Sequence, residues 1–343
     1  MNKPLTGIKQ IAQRAGVHIS TVSRVLNPQT RSMVSQEVAA RVLKIAESLE
    51  YIRNPLAVGL KTRRSFTVGM IVPDLTNPVF PPIVRAVERT LGKEGYVTVL
   101  ADSDNNRDTE RAILGSLRAR HVDGLILATA LLDDSAVTEF QQQQTPFVLV
   151  NRTINDERVS SVATNDLYGI RLAVEHLLEL GHRKIAFVGG PFNTSTGKAR
   201  HDGFIAALKN YRLKVDEKLM VESHSFTVQE GLAATRKLLQ GKRAFTAIVA
   251  ANDMLALGCF DALNEAKLRS PQDVSVTGYN DMPFADRFSP PLTTLRIPLE
   301  EMGVQAGLML LRKMRGGETS VASLQLEPSL VVRHSTARPA KRS

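Results

Sequence analysis

Apolar positions at the start of the chain recur every three or four residues. Ile8, Ile11, Ala12 and Ala15 share one face of a short helix, and Thr6 is placed to cap it. Gly16 breaks the pattern where a sharp bend calls for a residue without Cβ. Val22, Val25 and Leu26 then mark the inner face of a second helix, about 19–26, with Ser20, Ser23 and Arg24 on its other side. Two short helices across a glycine turn, with small polar groups and an arginine outward, make a helix-turn-helix pattern. The second helix of that pattern enters the DNA major groove by its N-terminal end. Alone, the same pattern also suits a solvated helical hairpin. Ser35 predicts the cap of a third helix over 36–49, with Val38, Val42, Ile45, Ala46 and Leu49 on one face.

Further on the period changes. Asn54-Pro55 signals a helix start, but Gly59 weakens the segment by about 1 kcal/mol relative to Ala. A marginal helix that needs a partner is expected there. From Phe66 onward, short apolar runs predict strands at 66–72, 97–101, 124–128, 147–150, 184–188, 247–251 and 274–278. Helical patterns lie between them at 83–93, 110–120, 167–180, 200–209, 228–239 and 254–267. This alternation predicts parallel, doubly wound α/β sheets covered by helices. Roughly 270 residues is large for one such sheet, so two lobes are expected. Ligands then bind beyond the carboxyl ends of the strands, in the cleft between lobes. The polar, basic end, 334–343, is expected to be a disordered tail.

Charge sharpens the division. Of the chain's net +10, residues 1–64 supply +8, from eleven Lys or Arg against Glu37, Glu47 and Glu50. A basic head on a near-neutral body points to nucleic acid. No wide apolar stripe suits that head to a membrane. The first residues have no apolar core of a secretory signal. The single cysteine, Cys259, excludes an internal disulfide, fits a cytoplasmic setting and reads as a small core hydrophobe. Enzyme motifs are missing: there is no GxxxxGK[ST], HExxH, GxSxG or paired cysteine motif, and Gly189-Gly190-Pro191 reads as turn chemistry. No catalytic residue, metal or cofactor is expected.

The ordered set IKQIAQRAGVHISTVSRVLN, NPLAVGLKT, VGMIVPDLTNPVF, HVDGLIL, NDLYGIRLAVEHLLELGHRKIAFVGG, VAANDMLALG, PQDVSVTGYND and PPLTTLRIPLEEMG resembles the LacI-type (lactose/galactose repressor) family of bacterial transcription regulators. The resemblance covers nearly everything from Thr6 to about Arg333. It implies a helix-turn-helix head at 1–53, a hinge helix and linker at 54–65, and a periplasmic-binding-protein-like core at 66–333. Three crossovers would divide that core into an N-lobe, about 66–164 and 296–322, and a C-lobe, about 165–295 and 323–333. Three departures stand out: His18 replaces the usual Ser at the cap of the second helix, Gly59 sits in the hinge, and Asn280 stands where an Asp is common.

By resemblance, Ile19 and Ser20 meet base edges. Ile19 suits a thymine methyl, Ser20 discriminates weakly, and Arg24 suits a bidentate guanine contact. Thr21, Ser23, Asn27 and Tyr51 would position the head on phosphates, although Thr21 and Ser23 equally suit plain solvation. Ala57 and Leu60 belong to the hinge, with Leu60 matching a leucine that wedges into the minor groove. Homodimers on a near-palindromic operator are implied, and the helix around 82–91 is a candidate for the shared face, although a wholly structural role suits it equally. The implied effector pocket comprises Asp74, Asn77, Phe80, Arg152, Arg200, Phe226, Asn252 and Asn280. Arg200 is expected to open a helix, and two arginines beside Asn280 suggest a sugar acid or sugar phosphate. Pairing of Arg152 with Asp74 or Asp102 would favour a neutral sugar instead. The implied function is a ligand-responsive repressor released by its effector. A corepressor-dependent repressor or an activator is the alternative within the family, and a sugar-binding protein without a DNA role is the alternative outside it.

Overall fold

In a computed structural model of the chain, the residues described are 7–27, 30–51, 64–134, 137, 139, 145–156, 158–241, 245–316 and 321–340. Two units emerge, Met1–Ser65 and Phe66–Ser343. The first packs three helices, α1 (Ile8–Ala15), α2 (Ile19–Leu26) and α3 (Gln36–Ser48), around Ile11, Val22, Val25 and Val42, none of which reaches solvent. Gly16 ends α1 at φ 63°, a left-handed conformation costly for any residue with a Cβ. Gly7 caps α1 without a side-chain bond, and Thr6 lies outside the described residues. Ser35 caps α3, accepting from Val38 N at 3.5 Å. The hinge, with Ala57 and Leu60, also lies outside the described residues.

The second unit holds two six-stranded sheets. In chain order its elements are β1 (Thr67–Val72), α4 (Phe80–Gly92), β2 (Val97–Asp102), α5 (Arg107–Ala119), β3 (Gly124–Leu127), β4 (Phe147–Val150) and β5 (Ser161–Thr164), then α6 (Asp166–Glu179), β6 (Ile185–Gly189), α7 (Ser195–Asn210), β7 (Met220–Glu222), α8 (Val228–Gln240), β8 (Ala247–Ala250), α9 (Asp253–Glu265), β9 (Ser275–Asn280), β10 (Thr293–Arg296), α10 (Leu299–Met314), β11 (Ser323–Leu326) and β12 (Ser329–Val331). One sheet runs β11-β5-β4-β3-β1-β2, all parallel; the other runs β12-β10-β9-β8-β6-β7, with β12 antiparallel to β10. β3, β4 and β8 are buried at every position, as parallel strands under helices on both faces must be. Asn106, Asn165, Thr194, Thr227 and Asn252 cap α5 to α9 with side-chain oxygens, so each βα turn ends in a helix start beside the cleft.

The chain passes between lobes after β5, after β10 and after β11. The last passage corrects the expected boundary. Ser323–Leu326 pairs with β5 in the first sheet, so residues 323–326 belong to the N-lobe and the C-lobe resumes beyond Pro328. The polar end also differs from expectation. Ser335 is fully buried, its Oγ donates to Val276 O at 2.6 Å, and Val276 N donates to Ser335 O at 2.8 Å. His182 Nε2 lies 2.8 Å from Ala337 O. Backbone and serine side-chain bonds to β9, with the His182 contact, thus hold 334–337 on the C-lobe. Cys259 is buried and its thiol is pushed up to about 12 by desolvation, as befits an inert core residue.

Candidate DNA interface and ligand cleft

The outer face of α2 carries Ile19, 38% exposed, with Ser20 and Arg24 also exposed. Thr21, Ser23 and Asn27 are half-buried, and Tyr51 packs on the core of the head. Val22 and Val25 point inward, so the 3.6-residue period alone puts 20 and 24 on the outer side. His18 caps the helix: its Nδ1 accepts from Ser20 N at 3.3 Å and lies 2.8 Å from Ser20 Oγ. The turn behind α2 is braced by Arg31, whose Nε donates to Val25 O at 2.9 Å, and by Thr30, whose Oγ1 donates to Arg24 O at 3.0 Å.

In the second unit all eight candidate pocket residues line two adjoining cavities at the carboxyl ends of the strands. A cavity of about 190 Å³ is bounded by Asp74, Asn77, Phe80, Arg152 and Phe226 among others. A smaller one of about 20 Å³ adds Arg200, Asn252 and Asn280, and shares Asn77, Phe80, Arg152 and Phe226 with the first. Asp74 and Asn77 follow β1, Arg152 follows β4, Asn252 follows β8, and Asn280 ends β9.

The two arginines differ in how they are held. Arg200 lies in the second turn of α7, which starts at Ser195, rather than opening the helix as expected. Its Nε meets Asp166 Oδ1 at 3.1 Å, its Nη1 donates to Ala251 O at 2.8 Å, and its guanidinium lies 3.9 Å from the Tyr279 ring centroid. Burial pushes the Asp166 carboxyl up, and the Arg200 charge opposes that. Arg152 is only 7% exposed. Its Nη1 reaches Thr129 O at 3.4 Å, and its buried Nε has no hydrogen-bond partner. Burial lowers its pKa to about 10; the charge of Glu110 opposes the fall, and Arg200 and Arg107 add to it.

The pairing of Arg152 with Asp74 or Asp102 is not seen. Asp74 Oδ1 accepts from Thr76 N at 2.7 Å and Thr76 Oγ1 at 2.6 Å, while Asp102 accepts from the backbone of Leu75 and Asp104. Short turn-forming bonds to their own neighbours outcompete a distant guanidinium. Asn252 Oδ1 caps α9 at Leu255 N, 2.8 Å away. Asn280 adopts φ 116° and buries its Oδ1 without a partner. An unpartnered donor on Arg152 and an unpartnered acceptor on Asn280 line the same cavity.

Several lining residues carried no sequence signal. Glu110, buried, accepts from Thr129 Oγ1 and pairs with Arg107, whose Nη2 also meets Asp134 Oδ1 at 2.6 Å. Arg107 and Glu110, three apart on α5, read in sequence like any solvated helix face. Among the described residues no group of three His, Cys, Asp or Glu could hold a metal, and no helix is long and apolar enough to cross a membrane.

Residues 7–54 match the pattern of bacterial regulatory proteins of the lacI family, and residues 174–336 match that of a periplasmic binding protein-like domain. The chain is 32% identical over 332 residues to the ribose operon repressor of Halalkalibacterium halodurans, spanning 97% of each protein. Its fold is similar to the lac repressor dimer bound to operator and the anti-inducer ONPF, with TM-score 0.86, 28% identity, and coverage of 98% of this chain and 100% of that one. It is also similar to the transcriptional regulator CelR in complex with cellobiose, with TM-score 0.75, 31% identity, and coverage of 96% and 99%.

Proposed function

This chain belongs to the lacI family of bacterial regulatory proteins, and from that membership we propose that it holds a near-palindromic operator as a homodimer and releases it when a small sugar acid or sugar phosphate fills the cleft. At the coarser level it is a DNA-binding transcriptional repressor with a periplasmic-binding-protein-like effector domain, and it is not an enzyme. It works where its DNA is, in the cytoplasm. The observation that carries the ligand class is Arg152. A buried guanidinium with an unpartnered Nε and, among the described residues, no carboxylate within ion-pair distance is costly until a ligand oxygen reaches it, and an anionic oxygen compensates most. Arg200, anchored by Asp166 and Ala251, presents a rigid second edge. Asn280 Oδ1 accepts a ligand hydroxyl, Asn77 and Asn252 add polar contacts, and Phe80 and Phe226 cover the apolar face of a sugar ring.

On DNA, Ile19 packs on a thymine methyl, Ser20 meets a base edge, and Arg24 takes a guanine. Thr21, Ser23, Asn27 and Tyr51 hold phosphates, while Ala57 and Leu60 enter the minor groove. The homodimer draws support from β2, an edge strand that exposes Val97 (64%), Val99 and Leu100 (37% each). A neutral sugar is the second reading, favoured by the cellobiose held by a structural relative.

The test is operator binding by fluorescence anisotropy, titrated with one panel of sugar acids and sugar phosphates and one of neutral sugars. Release by an acid or phosphate is expected. Release by neutral sugars alone would replace the ligand class, and tighter binding with any ligand would make the protein a corepressor system.

A further inference from the structure

We infer that His18 sets which bases the recognition helix can read, by fixing the hydroxyl of Ser20 as an acceptor; this rests on the DNA-binding reading above. His18 Nδ1 takes the Ser20 backbone N–H at 3.3 Å and lies 2.8 Å from Ser20 Oγ. A ring nitrogen that accepts from a backbone N–H carries no proton of its own. The start of the helix favours the same tautomer. Its unpaired N–H groups and positive dipole end attract a lone pair and repel a ring N–H. With Nδ1 unprotonated, the 2.8 Å contact has one polarity: Ser20 Oγ–H donates to Nδ1.

A hydroxyl has one hydrogen. Ser20 therefore faces outward with lone pairs alone. It is exposed in the first turn of α2, the end that enters the major groove. An untethered serine donates or accepts by rotation and so discriminates poorly. A serine held by His18 can only accept. In the major groove the donors are the exocyclic amino groups of adenine and cytosine, whereas guanine and thymine present keto oxygens. Ser20 thus selects an amino base over a keto base on the strand it faces.

The test is selection from a randomised half-site library with the full-length protein, sequenced for the wild type, Ser20→Ala, His18→Ser and His18→Asp. Ser20→Ala marks the position whose preference Ser20 makes. There the wild type is expected to favour adenine or cytosine over guanine or thymine by about fivefold, the discrimination one hydrogen bond supplies. His18→Ser still offers a cap oxygen to the helix but leaves the Ser20 hydroxyl free to turn, so the ratio should fall to within about twofold. His18→Asp, an acceptor with no donor, should keep the preference even at lower overall affinity. A wild-type preference for guanine or thymine at that position, an unchanged ratio in His18→Ser, or a Ser20→Ala profile identical to wild type would each overturn the inference. Enrichment of no sequence by the wild type would overturn both this inference and the operator reading beneath it, which tells the two failures apart.

Discussion

At the scale of single residues, cost and use coincide at buried charges. Arg152 and Asn280 leave polar atoms without partners inside the cleft, whereas most buried polar atoms in a protein are hydrogen-bonded. Arg152→Gln should therefore weaken an acidic effector about tenfold to a hundredfold, the weight of a charged hydrogen bond, and change a neutral sugar far less. Isothermal titration measures both, and equal losses for the two classes would remove Arg152 as the charge reader. Asp253 is a structural counterpart. It is fully buried, accepts from Met282 N at 2.7 Å and Thr294 Oγ1 at 2.5 Å, and so pins the backbone just after the strained Asn280. Burial raises its carboxyl to about 7, and the bonds from Thr294 and Met282 oppose that rise. The folded state then binds a proton that the unfolded state has released, so this residue's share of stability is full below about pH 4 and is lost as pH rises towards 7. Asp253→Asn cannot ionise. Its stability relative to wild type should climb over that window, by at most about 1.4 kcal/mol per pH unit. Urea melts from pH 4.5 to 7.5 would show it, and a pH-independent difference would mean that Asp253 does not titrate there.

At the scale of elements, close helix crossings depend on missing side chains. A Cβ on Gly258 of α9 would stand 2.1 Å from Val228 O, and one on Gly231 of α8 would stand 2.3 Å from Leu255 O. Both clashes are with backbone, so neither is relieved by rotating a side chain. Gly258→Ala should cost about 1–3 kcal/mol and lower the urea midpoint of the wild type; an unchanged midpoint would show that α8 and α9 can slide apart freely. Much of this architecture was legible beforehand, and the reasons are physical. Fully apolar runs such as 124–128 and 247–251 can be little else than covered parallel strands. The strands missed, β5, β7, β10, β11 and β12, are three or four residues long, and four of them begin with Ser or Thr, so their own composition carries little strand signal. The end at 334–340 looked like a tail because a serine such as Ser335, buried and bonded to β9, reads in sequence like any solvated one. In the cleft, residues such as Asn252 could be named from the family resemblance, with which their place at strand ends agrees. Glu110 and Arg107 could not, because the helix turn that carries them has no mark of facing inward.

At the scale of the whole molecule, the operator proposal requires two copies, because one head covers one half-site. The exposed apolar positions of β2 are where a second copy best fits. Val97, Val99 and Leu100 stand on an edge strand with no partner strand beyond it among the described residues, and a long apolar edge left open invites association. α4 packs on α10 behind the same sheet, with Gly303 close to Ile83 O, so the surface offered is stiff and loses little freedom on pairing. Val97→Lys combined with Val99→Lys puts two like charges on that edge of each copy and changes no residue that lines the cleft or belongs to residues 1–65. Sedimentation velocity should then show monomers where the wild type sediments as a dimer. Affinity for the near-palindrome should drop by at least about a hundredfold, because the second half-site no longer binds as part of a linked pair. Effector binding, confined to one chain's two lobes, should persist. A lysine pair that leaves the dimer intact would move the interface off β2, and lost operator affinity in an intact dimer would mean that this edge serves the DNA rather than the partner.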